Sequence, residues 1–285
     1  MRKKKFIYAA IALMTLGFAA CTQEDDFAPQ GEPQEISIRT RTADSGSETE
    51  PFTGNFTLEL WNDGVHSTHP MTYTEGTWSP VKVDKLGTTV KALAHCGNTV
   101  NVTSSDNYSI KLTEDQSDVD AFNAADVMTA TGTVATDGSL SLNFKHYFAK
   151  VIFKVTLADE FKTETESGTA LTPITNLHVV INDSSTPTVT AYCSATDSDA
   201  DYHYECSAYI PADTYTVGDT FVKVDIKGNQ LVAKMQRETT LAAGTHYTFY
   251  LKVGKNKVTI TQVTTNTIGN PFGSGWDNDS ETDLN

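Results

Sequence analysis

SLSLNFKHYFAKVIFKV, residues 139–155, sets its large apolar side chains at every second position but changes parity partway along. Leu140, Leu142, Phe144, His146 and Phe148 share one parity, whereas Val151, Phe153 and Val155 take the other. Alternation with period two is the pattern of a strand buried on one face. A one-residue change of parity turns every later side chain to the opposite face. The stretch therefore predicts either a β-bulge near Ala149 or a strand that leaves one packed face for another. His146 lies on the apolar side, where a lone histidine reads as a hydrogen-bonded core residue rather than a ligand or a catalyst.

Similar alternation recurs on both sides of that stretch. NFTLELW (55–61), TTVKALAH (88–95), NLHVVI (176–181), YHYECSAYI (202–210), TFVKVDI (220–226), HYTFYLKV (246–253) and NKVTITQV (256–263) all read as half-buried strands. Gly, Asn, Asp, Ser or Pro interrupts the chain about every eight to twelve residues, which is the rhythm of short strands. Helix is limited to one or two turns in residues 117–128 and in 157–162. About a dozen short strands over roughly 240 residues is too many for one ordinary sandwich. The chain is therefore expected to be all-β, with an N-terminal β-sandwich over 36–137, a C-terminal one over 138–263, and a tail over 264–285.

The N-terminus reads as an export signal. Arg2, Lys3, Lys4 and Lys5 precede an apolar run from Phe6 to Leu16, far short of the roughly 20 residues of a membrane span. Ala19 and Ala20 before Cys21 suit a lipoprotein signal peptidase, giving a signal peptide over 1–20 and a lipid-anchored linker over 21–35. Acyl chains on Cys21 would hold the protein to a bilayer. The acidic cluster TQEDD just after it resembles the surface-export signal of some outer-membrane lipoproteins, with a solvated linker as the alternative reading.

Four of the 21 basic residues precede Cys21, leaving 17 against 36 acidic ones, a net charge of −19. Such a chain is repelled by phosphate backbones, so nucleic acid is not an expected partner. Cys96, Cys193 and Cys206 are odd in number and lack metal-ligand spacing. Unpaired, half-buried thiols are the expectation, and a 193–206 pair would need the two to sit opposite each other on neighbouring strands. Asp197, Asp199 and Asp201 begin like a calcium loop, but Tyr202 stands at the glycine position and Ala208 at the glutamate position. The seven histidines form no H-E-x-x-H, and no G-x-S-x-G turn is present. No metal, cofactor or catalytic residue is expected, and the chain does not read as an enzyme.

DVMTA (126–130) followed by LNFKHYFAKVIFKV (142–155), with TYTEGTWSP (72–80), YIPADTY (209–215) and AGTHYTFYLKV (243–253), resembles the fimbrillin family of outer-membrane lipoproteins. The likeness spans most of the chain after Cys21. It implies two transthyretin-like sandwich domains and a subunit of a surface pilus. It further implies a trypsin-like, arginine-specific protease that removes the lipid and one β-strand, leaving an apolar groove for a strand of the next subunit. The candidate strand is EISIRTRT (35–42). Arg39 and Arg41 follow its apolar residues, and apart from them only Arg237 occurs after Cys21. Cleavage between Arg41 and Thr42 is preferred over cleavage at Arg39, although both also read as solvated charges at a strand end.

The tail places Ile268, Phe272 and Trp276 on one parity, as a donor strand could, and it reads as readily as a frayed terminus pinned by Trp276. Other pilus subunits, the outer membrane and the maturation protease are the expected partners, on the cell surface and in the fimbrium. The rival is a tethered lipoprotein that binds glycan or a host ligand as a monomer, with Trp61, Trp78, or Tyr202 with Tyr204, as an aromatic platform.

Overall fold

The computed structural model describes residues 34–42, 51–83, 86–87, 89–97, 100–165, 168–182, 188–196, 201–267 and 280–283. In the first half, β1 (Gln34–Thr42), β2 (Phe56–Asn62), β3 (Val65–Met71), β4 (Tyr73–Thr74), β5 (Thr77–Trp78), β6 (Val81–Val83), β7 (Val90–Cys96), β8 (Val100–Ser104) and β9 (Asn107–Ile110) precede a short helix, α1 (Val119–Ala124). Then come β10 (Met128–Val134), β11 (Ser139–His146) and β12 (Ala149–Leu157), and a 3-10 turn at Asp159–Phe161. The second half continues with β13 (Lys162–Thr165), β14 (Gly168–Leu171), β15 (Ile174–Val180), β16 (Thr188–Thr190), β17 (Tyr192–Ala195), β18 (Tyr204–Ile210) and β19 (Asp213–Tyr215). Last are β20 (Thr220–Ile226), β21 (Asn229–Lys234), β22 (Thr239–Leu241), β23 (Thr245–Val253), β24 (Val258–Thr267) and β25 (Ser280–Asp283). The fold is all-β, and the two helical turns among the described residues fall in the two segments the sequence marked.

One sheet runs β3-β2-β7-β10-β11-β1-β6. β10 and β11 share only the rungs Met128↔His146 and Thr129↔Lys145, so the sheet parts there into two faces. Leu58, Leu60, Ala92, Ala94 and Ala130 from one face meet Ile36, Val81, Leu140, Leu142 and Phe144 from the other in one apolar cluster. Gly132 permits this closure. A Cβ at that position would lie 2.9 Å from Leu140 Cδ1 and 3.1 Å from the Ser141 carbonyl oxygen.

The second cluster lies between a six-stranded sheet, β17-β18-β12-β23-β24-β25, and a four-stranded one, β16-β15-β20-β21. Val151, Phe153 and Phe249 come from the first sheet, and Leu177, Val179 and Val224 from the second. Phe153 and Phe221 flank Phe249 at 5.6 and 4.7 Å between ring centroids. The parity change at residues 146–149 is explained by this pair of cores. β11 ends at His146 and β12 starts at Ala149, so the strand leaves one packed face for the other and no bulge is involved. The change of cluster falls between Phe144 and Ala149, because β11 carries Leu140, Leu142 and Phe144 into the first core.

A third, small cluster of Ala125, Val127, Phe148 and Tyr209, with Phe122 packed against it, gathers where β11 passes into β12. Asp118 caps α1, its carboxylate accepting from the N–H groups of Asp120 and Ala121. Buried Gln116 acts as a substitute for a neighbouring strand: its Nε2 donates to the Tyr209 carbonyl (2.9 Å) and its Oε1 accepts from the Tyr209 N–H (2.8 Å). Polar groups gather beside this cluster. His146 Nδ1 lies 2.6 Å from Asp126 Oδ1. Lys150 sits over the Phe122 and Tyr209 rings at 5.4 and 5.8 Å, and it is the rung partner of both Tyr209 and His246. His146 is thus the hydrogen-bonded core histidine that its parity implies.

Two side-chain environments differ from expectation. Cys193 and Cys206 form a disulfide instead of standing as free thiols, because β17 and β18 place them on one antiparallel rung. The remaining described cysteine, Cys96, is a free thiol that burial raises to about 12, which leaves it unreactive. Glu59, on the parity expected to face solvent, is 7% exposed. It accepts from Thr68 Oγ1 (2.6 Å) and pairs with His66 Nε2 (2.8 Å). Burial alone would raise its pKa, but the hydrogen bonds from Thr68, His66 and His95 outweigh that and hold it below the usual carboxylate value. The β8–β9 hairpin reaches the same outer face, with Tyr108 Oη 3.4 Å from Thr129 Oγ1 and Lys91 Nζ 2.5 Å from Asp106 Oδ2.

Three measurements test this architecture. Gly132→Val should cost about 1–3 kcal/mol in urea unfolding, as overpacking against main chain does. Replacing Cys193 and Cys206 together by Ala should lower stability by about 2–4 kcal/mol, with wild type matching the variant once reduced. Burial, and then the nearby Lys150 and His146, depress His246 to about 3 against the pull of Asp126. An unfolded histidine takes up its proton near pH 6.5, so below that pH the unfolded state binds more protons and the fold loses stability, down to about pH 3. Urea midpoints should show about 2 kcal/mol lost between pH 7 and pH 5, and His246→Gln should flatten that slope.

Candidate assembly site

β1 alternates as its sequence dictates: Ile36 is buried, Ile38 and Thr40 are half-buried and Thr42 is buried, while Ser37, Arg39 and Arg41 are exposed. It lies between β11, which it pairs in parallel from Ser37↔Ser139 to Thr42↔Phe144, and β6, which it pairs antiparallel over Gln34–Ile36. Burying a side chain of the size of Ile36 contributes about 1.5–3 kcal/mol. The Thr40 hydroxyl donates to the Phe52 carbonyl at 2.6 Å and ties the strand to the chain that returns beneath it.

The main chain of β1 has two unlike edges. Ser37 N–H donates to the Gly138 carbonyl at 2.9 Å, and successive residues of a strand direct their N–H and C=O groups to alternate sides. Arg39 and Arg41 therefore face β11 as Ser37 does, and Ile38 and Thr40 face the other way with Ile36. β6 cannot continue along that second edge, because Pro80 has no N–H and Ser79 gives its own to the Thr72 carbonyl (2.9 Å). A cleft of about 380 Å³ opens there, lined by Ile38, Thr40, Phe52, Tyr73 and Trp78 among others.

The layer under β1 is aromatic. Phe52 stacks on Phe144 at 4.2 Å, and Phe56 meets Phe144 and Trp78 edge-on at 5.2 and 4.8 Å. Withdrawal of β1 would uncover Leu140, Leu142 and Phe144 along a strand whose pairing with β10 covers only two rungs. An apolar groove with an unpaired main-chain edge is the surface that accepts an added strand.

The other anticipated residues divide cleanly. Arg39, Arg41 and Thr42 are together on β1, within the paired strand. Cys21, Ile268, Phe272 and Trp276 lie outside the described residues, as do Asp197 and Asp199. Beyond the donor candidates, β25 pairs antiparallel with β24, from Gln262↔Asp283 to Thr265↔Ser280. The rings considered for a glycan platform have neighbours within the fold: Trp61 stacks on His66 at 4.8 Å, Trp78 lies 4.9 Å from Tyr73, and the Tyr202 hydroxyl donates to Glu205. Among the described residues no three His, Cys, Asp or Glu side chains are placed to hold a metal ion.

Sequence reasoning did not anticipate the meeting of Asp126, His146, Lys150 and Tyr209. Three separate stretches that carried the family resemblance, DVMTA, LNFKHYFAKVIFKV and YIPADTY, deliver these side chains to one place. His146 and Tyr209 are buried and Asp126 and Lys150 half-buried, at the passage from β11 to β12.

A family model described as fimbrillin-like matches residues 35–267, from the second residue of β1 to the end of β24. Among curated proteins there is no match. Solved structures with a similar course include the fimbrial anchor protein Mfa2 from Porphyromonas gingivalis, at 10% identity and a TM-score of 0.45, covering 83% of this chain and 98% of that one. A C-terminally truncated tip fimbrial protein, Mfa3, from the same organism has 8% identity and a TM-score of 0.39, over 82% and 100%. A fimbrial protein from Bacteroides ovatus has 15% identity and a TM-score of 0.42, over 80% of this chain and 50% of that one. On the extent of the family match, the chain belongs to the fimbrillin-like family, whose members are structural subunits of surface fimbriae.

Proposed function

We propose that this chain is made as a lipoprotein precursor, lipidated at Cys21, and matured at the cell surface by an arginine-specific protease that cuts between Arg41 and Thr42, with Arg39 as the second choice. Cleavage releases the lipid, the acidic linker and β1 together. The vacated groove between β11 and β6 then takes a strand from another subunit, and Ile268, Phe272 and Trp276 are the candidates to fill the groove of a neighbour. The subunit would serve adhesion from the fimbrium, with the outer membrane, the protease and other subunits as its partners. The division into two sandwich domains, and the transthyretin likeness of each, belong to this reading.

One observation carries it: the segment that bears both arginines is also a strand that supplies Ile36 and Ile38 to the first core. Removing it would convert a closed sheet into an acceptor without touching the second core, to which β1 contributes nothing. The test is N-terminal sequencing of material sheared from the native cell, alongside the double variant Arg39→Ala, Arg41→Ala. Wild type should begin at Thr42, and the variant should remain a full-length, lipid-bound monomer. Undiminished polymer from the variant would overturn the maturation step, and a blocked, acylated Cys21 on wild-type surface protein would favour the tethered monomer.

A further inference from the structure

Arg41 presents an exposed side chain on a main chain that is already engaged. Hydrolysis adds water across the Arg41–Thr42 bond: the C–N bond breaks, Arg41 gains a carboxylate oxygen and Thr42 gains an amine proton. To be attacked, the Arg41 carbonyl oxygen must sit in the oxyanion site of the protease. In the parallel register with Arg41 opposite Asn143, that carbonyl faces the Phe144 N–H. It cannot serve both partners at once. The open edge of β1, at Ile38 and Thr40, offers no way around, since it carries the main-chain groups of the intervening residues and not those of Arg39 or Arg41.

We infer that the precursor is cut only after the C-terminal end of β1 has peeled from β11, so that the stability of this ladder sets the rate of maturation. This rests on the maturation reading above and adds its control. The opening must break the contacts of Arg41 with β11 and the bond from Thr40 to the Phe52 carbonyl. Arg39 lies one repeat deeper, opposite Ser141, and needs a longer opening. The geometry thus orders the two sites, Arg41 ahead of Arg39. Ile38 lies outside the bond that is cut, yet it packs against the first core and helps hold the strand down.

The full-length protein is treated with trypsin as the probe, and the product beginning at Thr42 is followed with time. Ile38→Ala should speed its appearance about fivefold or more, because proteolysis of a transiently opened segment tracks the population of the open form. A peptide of residues 34–46 carrying the same substitution should be cut no faster than the unsubstituted peptide. Urea well below the unfolding midpoint should speed cleavage of the wild-type fold, a readout that does not depend on the variant folding. If the folded wild type is cut as fast as the peptide, or if neither urea nor Ile38→Ala changes the rate, the gate is overturned while the maturation reading stands. If no cut after Arg41 or Arg39 occurs short of global unfolding, both fall.

Discussion

The parallel ladder between β1 and β11 joins Ser37 to Ser139, so the first core waits on contact between segments about a hundred residues apart. Ladder pairing of this kind is weakly supported by anything local, because a long connection must be closed before the contacts reward it. Once made, it does three things together. It seats Ile36 in the core, gives β11 the main-chain partner that β10 supplies at only two rungs, and carries the arginines to the surface on the opposite parity. The site is therefore not an addition to the fold. It is a strand of the fold whose ladder partners lie far away in sequence.

The second core is independent of that ladder but not of the passage out of β11. Where the chain runs from His146 to Ala149, the polar groups Asp126, His146, Lys150 and Tyr209 meet, with Gln116 closing the main chain of Tyr209. Burying such groups is tolerable because they satisfy one another, and removing any one leaves its partners in a poorly solvating place. That explains how separate stretches of sequence come to share one physical duty.

Much of this was legible beforehand. The alternation in residues 139–155 marked both strands and the passage between them, because each strand is buried on one face only and the pattern survives without knowledge of partners. β1 was legible for the same reason. The hidden features depend on register between distant segments. Cys193 and Cys206 pair because β17 and β18 align them, which a count of three cysteines did not suggest. Glu59 reads as a solvent-facing residue until β3 and β7 bring His66, Thr68 and His95 around it. The exposed face of β1 correctly suggested reachable arginines, but no pattern of side chains reports which way a carbonyl points.

The second core has a mechanical property that stems from one pairing. β12 and β23 run parallel at the centre of their sheet, from Lys150↔His246 to Leu157↔Val253. β12 is entered directly from the first core, and β23 leads into β24. A pull applied at the start of β12 and at the end of β23 acts at opposite ends of the ladder, so it shears all the rungs at once rather than opening them in turn. A subunit loaded along that line would resist extension through its central pair of strands.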